Sequence, residues 1–197
     1  MNKKWLIGID EAGRGPLAGP VSVGVVKIPT DFDWSLIPGV NDSKKISEKK
    51  RDAVFELTNE LVKQGLLSYS VKLVSANSID NKGIVSAIKR AIESAIEELK
   101  LNPEECFIKL DGSLHAPEKF EQETIIKGDG KEKVIGLASI MAKVKRDTYM
   151  KEIAEQYPEY GLEGHKGYGT KAHREAIAKF GLTIIHRRTY CKNIKML

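Results

Sequence analysis

Short apolar runs, closed by acids, glycine or proline, alternate along this chain with longer stretches whose apolar residues recur every three or four positions. Residues 5–9 form an apolar run ended by acids and read as a buried strand. Residues 21–26 are β-branched and closed by Pro29, which predicts a second strand. Residues 30–46 carry turn chemistry in Pro38-Gly39 and Asn41-Asp42-Ser43. Ser47-Glu48 can cap a helix running to Lys63, with Val54, Leu57, Leu61 and Val62 at helical spacing, and Gly65 stops it. Residues 69–74 alternate as a strand does. Ile84, Ile88, Ile92, Ile96 and Leu99 predict an amphipathic helix over 84–99. Two further strands are expected over 106–110 and 123–127. A long helix over 134–156 opens apolar and is expected to end in an exposed, charged half. From 157 onward the chain is rich in Gly, Tyr and His, with a short helix over 171–180 and an irregular tail over 184–191.

Five strands mixed with helices imply an α/β fold with helices on both faces of one sheet. The link over residues 10–20 is too short for a crossover helix. The first two strands should therefore be antiparallel neighbours, and the sheet mixed. At 197 residues the chain has room for about one domain, and 41% hydrophobic against 30% charged residues excludes a disordered or fibrous chain.

Charge adds a direction. Residues 1–130 hold 18 Lys and Arg against 20 Asp and Glu, whereas residues 131–197 hold 14 against 7. The last third thus carries a net +7, which suits either a polyanionic partner or a solvated basic face. Cys106 and Cys191 are the only cysteines, too few for a disulfide scaffold, and Cys106 reads as a buried thiol. No signal-type apolar region opens the chain, and no run approaches about 20 apolar residues. These features lead us to expect a soluble, cytoplasmic protein with no membrane partner.

The pattern that bears chemistry is the way three strands end. They run into Asp10-Glu11, into Asp111-Gly112, and into Gly128-Asp129-Gly130. Ligand sites of α/β sheets lie outside strand ends, so these acids can converge although they are distant in sequence. Each alone reads first as a turn or helix cap. Gathered, they would repel one another unless cations intervened. Oxygen donors suit Mg²⁺ or Mn²⁺, whereas zinc would want His or Cys. Two such ions about 3.5–4 Å apart support in-line phosphoryl displacement. Neighbouring strand residues face opposite sides, so Asp10 and Glu11 can share a site only if the strand bends, as Ala12-Gly13 would allow. His165, His173 and His186 lack metal-ligand spacing; His115 reads as a turn residue, and His173 as structural.

After the acid pair comes Ala12-Gly13-Arg14-Gly15-Pro16-Leu17-Ala18-Gly19-Pro20, which lets backbone amides and one arginine approach an anion closely. The stretch from Asp10 to Pro20 closely resembles the opening signature of the bacterial type 2 ribonuclease H family. The resemblance continues in order through Asp42-Ser43-Lys44-Lys45, Leu110-Asp111-Gly112, Lys127-Gly128-Asp129, the run from Ala138 to Asp147, Gly167-Tyr168-Gly169-Thr170 and His186-Arg187-Arg188. The intact Gly13-Arg14-Gly15, and a start nine residues before Asp10, favour type 2 over the related type 3 enzymes.

The resemblance implies a ribonuclease H-like fold, a mixed five-stranded sheet flanked by helices with a helical C-terminal portion. One catalytic domain is expected over residues 1–197, with about 157–197 as its substrate-binding segment. It implies Asp10, Glu11, Asp111 and Asp129 as catalytic, metal-binding carboxylates for two Mg²⁺ or Mn²⁺ ions, with Asp147 as rival for the fourth position. The reaction implied is hydrolysis 5′ to a ribonucleotide in an RNA–DNA hybrid or in duplex DNA, leaving 3′-hydroxyl and 5′-phosphate ends, in the service of ribonucleotide removal from DNA. Gly13, Arg14 and Gly15 would read the ribose 2′-hydroxyl, and Tyr168 would stack on the sugar. Ser43, Lys44 and Lys45 would contact phosphate, while Lys143, Arg146, Arg187 and Arg188 would meet the duplex backbone. A monomer is expected. The competing class is a non-catalytic hybrid-binding module, which would need the basic third but not the strand-end acids.

Overall fold

The computed structural model describes residues 3–40 and 46–195. Strand β1 (Trp5–Ala12) and strand β2 (Val21–Pro29) pair antiparallel, as their short link requires. Helix α1 (Glu48–Lys63) begins where Ser47 accepts a hydrogen bond from the Lys50 amide, the cap its sequence announced. Strand β3 (Ser68–Val74) follows and pairs antiparallel with β2. The short helix α2 (Ala76–Lys82) was not expected, yet Ser75 caps it through the Ser78 amide. Helix α3 (Ile84–Glu98), strand β4 (Cys106–Asp111) and strand β5 (Glu121–Ile125) come next. The last strand lies two residues earlier than its apolar centre suggested. Helix α4 (Lys133–Ala154), the four-residue α5 (Leu162–His165) and α6 (Lys171–Phe180) complete the chain.

The sheet order is β3-β2-β1-β4-β5, with β1–β4 and β4–β5 parallel. Both faces are covered. On one, Ile7, Ile9, Val23, Ile108 and Leu110 pack against Ala87, Ile88, Ala91, Ile92, Ala95 and Ile96 of α3. On the other, Val26 and Ile28 meet α1 and the first half of α4. Helix α4 comes unusually close to the strands. A Cβ on Gly8 would lie 2.1 Å from the Val134 carbonyl oxygen, and one on Gly24 2.3 Å from that of Ala138. Only glycine at these two positions lets the helix backbone rest on the sheet. A third apolar cluster joins Leu17, Ala18 and Met150 to Tyr160, Leu162, Ile177, Ile185 and Cys191. It covers the second half of α4, so the expected exposed half is instead interior: Arg146, Asp147 and Met150 are all buried there.

Candidate active site and nucleic-acid interface

Register brings the acids together. The β1–β4 ladder ends at Ile9 opposite Leu110, so Asp10 and Asp111 leave adjacent parallel strands at the same end. Asp111 in turn pairs with Ile125 at the end of β5, and a single 3₁₀ turn, Gly128–Gly130, carries Asp129 back toward it. One Asp111 carboxylate oxygen accepts from the Gly128 amide at 2.6 Å and the Asp129 amide at 3.4 Å. The β1–β2 ladder continues to Ala12, so the strand does not bend between Asp10 and Glu11 as a shared face would require. Asp10 lies on the α4 face, where the Ser139 side chain hydrogen-bonds to it. Glu11 points the other way and meets the Arg14 guanidinium at 3.2 Å. The bend comes later, at Gly13, whose φ is +84°.

Asp10 is 4% exposed. Its carboxyl is held well above the usual range, first by burial and then by repulsion from Glu11 and Asp111, against the opposing hydrogen bonds from Ser139 and the Glu11 amide. Burial and neighbouring carboxylates both disfavour the charged form. Among the described residues, no three His, Cys, Asp or Glu side chains already enclose a metal ion; the acids are gathered at one edge without being closed into a cage. The all-oxygen donor set and the resisted charge on Asp10 fit a hard divalent cation. Asp147, the rival acid, is buried and bound to Lys143 at 2.8 Å.

The predicted binding residues divide. Arg14 and Gly15 are exposed on the turn after β1, and Tyr168 is 43% exposed with its ring 5.8 Å from the Arg146 guanidinium. Lys143 is partly exposed. Ser43, Lys44 and Lys45 lie outside the described residues. Arg146 and Arg187 correct the expectation of contact with a duplex backbone: both are wholly buried, and both donate to backbone carbonyls of the residue 13–20 loop. A phosphate cannot reach them while that packing holds.

Two pairings here were not foreseen from the sequence. Ser139, inside the apolar run of α4, is the hydroxyl that faces Asp10; a lone polar residue on a buried face was the available signal. The other is His186, which forms a pair with His173. The His186 Nδ1 accepts from the Thr183 amide at 3.0 Å, and the His173 Nδ1 lies 3.0 Å from the Tyr168 carbonyl, to which it must donate. Their Nε2 atoms are 3.2 Å apart. These contacts fit one tautomer each, both rings neutral, with His186 donating to His173. Burial holds both pKa values down to about 4.

The mixed sheet with this strand order, the helices on its two faces and the acid-lined end of its central strands define a ribonuclease H-like fold. The family model for ribonuclease HII matches residues 7–193. The ribonuclease HII of Endomicrobium trichonymphae is 49% identical over 183 residues, 93% of this chain and 83% of that protein. That of Clostridioides difficile is 47% identical over 190 residues, 96% and 71% of the two chains. The crystal structure of ribonuclease H2 from Pyrococcus horikoshii superposes with a TM-score of 0.74 at 26% identity, covering 97% of each chain. The chain belongs to the ribonuclease HII family and is a ribonuclease H endonuclease, a hydrolase. None of its described helices is long and apolar enough to cross a membrane.

Proposed function

We propose that this chain hydrolyses the phosphodiester bond 5′ to a ribonucleotide in RNA–DNA hybrids, including single ribonucleotides embedded in duplex DNA, with Mg²⁺ or Mn²⁺. The observation that carries the reading is the buried Asp10, its ionisation opposed by burial and by Glu11 and Asp111 at the same sheet end. Such a site calls for cations. Asp10, Asp111 and Asp129 would hold two ions, with Glu11 reaching them from the opposite face of the strand only on leaving Arg14; the ions when bound supply charge neutralisation and electrophilic stabilisation of the reacting phosphoryl group.

The chain's own residues do the rest. Gly13-Arg14-Gly15 offers backbone groups to the ribose 2′-hydroxyl, the atom that separates RNA from DNA, and the half-exposed Tyr168 ring offers a face to the sugar. Ser43, Lys44, Lys45 and Lys143 bind phosphates and fix register without reading sequence. Water adds to phosphorus and the P–O3′ bond breaks, leaving a 3′-hydroxyl upstream and a 5′-phosphate on the ribonucleotide. No side chain becomes covalently attached. This reading makes the biological role ribonucleotide removal from DNA, carried out in the cytoplasm by a monomer. Its single catalytic domain spans residues 1–197, with residues 157–197 gripping the duplex.

The test is an end-labelled DNA duplex carrying one ribonucleotide, incubated with and without Mg²⁺. A metal-dependent nick on the 5′ side of the ribonucleotide is expected. Binding without any nick would make the chain a hybrid-binding module and overturn the proposal.

A further inference from the structure

Arg146 and Arg187 are the bulkiest side chains wholly buried among the described residues. Neither forms an ion pair with a carboxylate among those residues. Their charge is met by carbonyl oxygens. Arg187 donates to Gly13 at 2.7 Å, Arg14 at 2.9 Å and Gly19 at 3.0 Å. Arg146 donates to Pro20 at 2.9 Å and Ala18 at 3.3 Å, and its third bond crosses to Lys166 at 2.9 Å. Five of these six carbonyls belong to the loop after β1, and the sixth lies two residues before Tyr168. The seam between the loops is closed further by the Leu17 amide on the Gly167 carbonyl at 2.8 Å. A Cβ on Gly167 would stand 2.3 Å from the Ala18 oxygen.

The carbonyl pattern has a geometric consequence. In a trans peptide the C=O and the following N–H point in opposite directions, and among the described residues no peptide is cis. With the Gly13 and Arg14 carbonyls drawn inward to Arg187, the amides of Arg14 and Gly15 face outward at an exposed turn. Two successive outward amides make a donor concavity suited to an anion or hydroxyl oxygen. Gly13 itself admits no side chain, since its Cβ would fall 2.0 Å from the Arg146 Nε. Among the described residues the Arg146 Nη1 is buried without a partner, and that guanidinium sits 5.8 Å from the Tyr168 ring centre. Burial, with each guanidinium repelling the other, lowers the Arg187 pKa to about 10. Two buried cations with no carboxylate partner among the described residues are costly unless the geometry they impose is needed.

We propose that Arg146 and Arg187 are positioning residues that lock the Gly13–Pro20 loop to the Tyr168 loop and thereby set discrimination in favour of a lone ribonucleotide. Arg187 turns the reading amides outward. Arg146 fixes their distance from the tyrosine ring. The inference rests on the proposed roles of Gly13-Arg14-Gly15 and Tyr168, and it assigns the arginines a task different from phosphate contact.

The experiment compares wild type, Arg146→Lys, Arg187→Lys and Tyr168→Ala, each checked for folding by circular dichroism and melting. Each is assayed with Mg²⁺ on a duplex with one ribonucleotide and on one with an RNA tract. Lysine keeps the charge but not the fork that spans several carbonyls. We expect each lysine variant to lose about tenfold or more in kcat on the lone ribonucleotide, and only about threefold on the tract. Adding Arg146→Lys to Tyr168→Ala should cost less than about twofold more, because coupled residues are non-additive. Equal losses on both substrates, or fully additive losses with Tyr168→Ala, overturn the proposal while leaving the activity intact. Should the lysine variants not fold, Gly167→Ala perturbs the same seam, and an unchanged substrate ratio in that variant overturns it equally. A wild-type protein that never nicks overturns the functional reading and this inference together.

Discussion

The molecule concentrates like charges in two neighbouring regions and treats them in opposite ways. At the sheet end, the buried Asp10 is opposed in its ionisation first by burial and then by Glu11 and Asp111, and the hydrogen bonds from Ser139 and the Glu11 amide do not offset this. In the seam below the glycine loop, Arg146 and Arg187 are also buried, yet six hydrogen bonds to backbone carbonyls meet their guanidinium groups, with only the Arg146 Nη1 left over among the described residues. A charge the fold satisfies itself serves architecture. One that it leaves opposed marks the place where something from outside must bind. Burial alone does not separate the two cases, because Asp10 and the arginines are comparably enclosed.

The sharpest way to break this comparison is Asp10→Asn. Nicking should fall by about a thousandfold or more, the scale of losing a group that acts in the transition state. The melting temperature at pH 7 should nevertheless rise, because a repelled buried carboxylate has become neutral. Mg²⁺ should raise the melting temperature of the wild type and have little effect on the variant. A variant that is both inactive and less stable would show that Asp10 is architectural after all.

Next in size is Gly24→Ala, which tests the close approach that brings Ser139 of α4 to Asp10. Its Cβ would meet the Ala138 carbonyl oxygen at 2.3 Å, and backbone cannot yield cheaply. A loss of about 3 kcal/mol, or roughly 10 °C in melting temperature, is expected. An unchanged melt would mean that the helix does not rest on the strand.

Acid distinguishes the two regions by sign. His173 and His186 titrate near 4 in the fold, against about 6.5 when unfolded. The unfolded chain therefore binds more protons between those values, so the stability the pair contributes is complete above pH 6.5 and lost as pH falls toward 4. Asp10, raised above its ordinary value, changes in the other direction: protonation relieves it as pH falls. Melting curves from pH 7.5 to 4 should drop more steeply for Asp10→Asn than for wild type. Parallel curves would contradict the opposite signs. The smallest effect is expected for Lys143→Ala at the partly exposed rim, where duplex binding should weaken uniformly and the slope of log affinity against log salt should fall by about 1.

Much of the fold was legible because local chemistry and tertiary need agree. Ser47 starts α1 at the residue its capping chemistry indicated, and the eight-residue link after β1 permits only an antiparallel return. The isoleucines of α3 at steps of four face the sheet. Helix α2 was missed because seven mostly polar residues, Ala76–Lys82, carry too little periodicity, although Ser75 offered a cap. The second half of α4 looked exposed because its charges are those of a surface helix; the Tyr160 and Leu162 layer that covers it is a long-range contact.

Taken by itself, the sequence determined which strands exist, that three of them end in acid, that a glycine-rich turn follows the first, and that the family is one of ribonucleases. Those facts are local, carried by spacing and residue type. Only the tertiary structure decided that Asp10 and Glu11 face opposite sides of an unbent strand, that Ser139 is the hydroxyl that faces Asp10, and that Arg146 and Arg187 lie buried beneath the Gly13–Pro20 loop. The physical reason is that burial and hydrogen-bond partnership depend on chain segments more than a hundred residues apart, such as Arg187 and the Gly13 carbonyl. An arginine reads the same in sequence whether a phosphate or a peptide carbonyl will receive its hydrogen bonds.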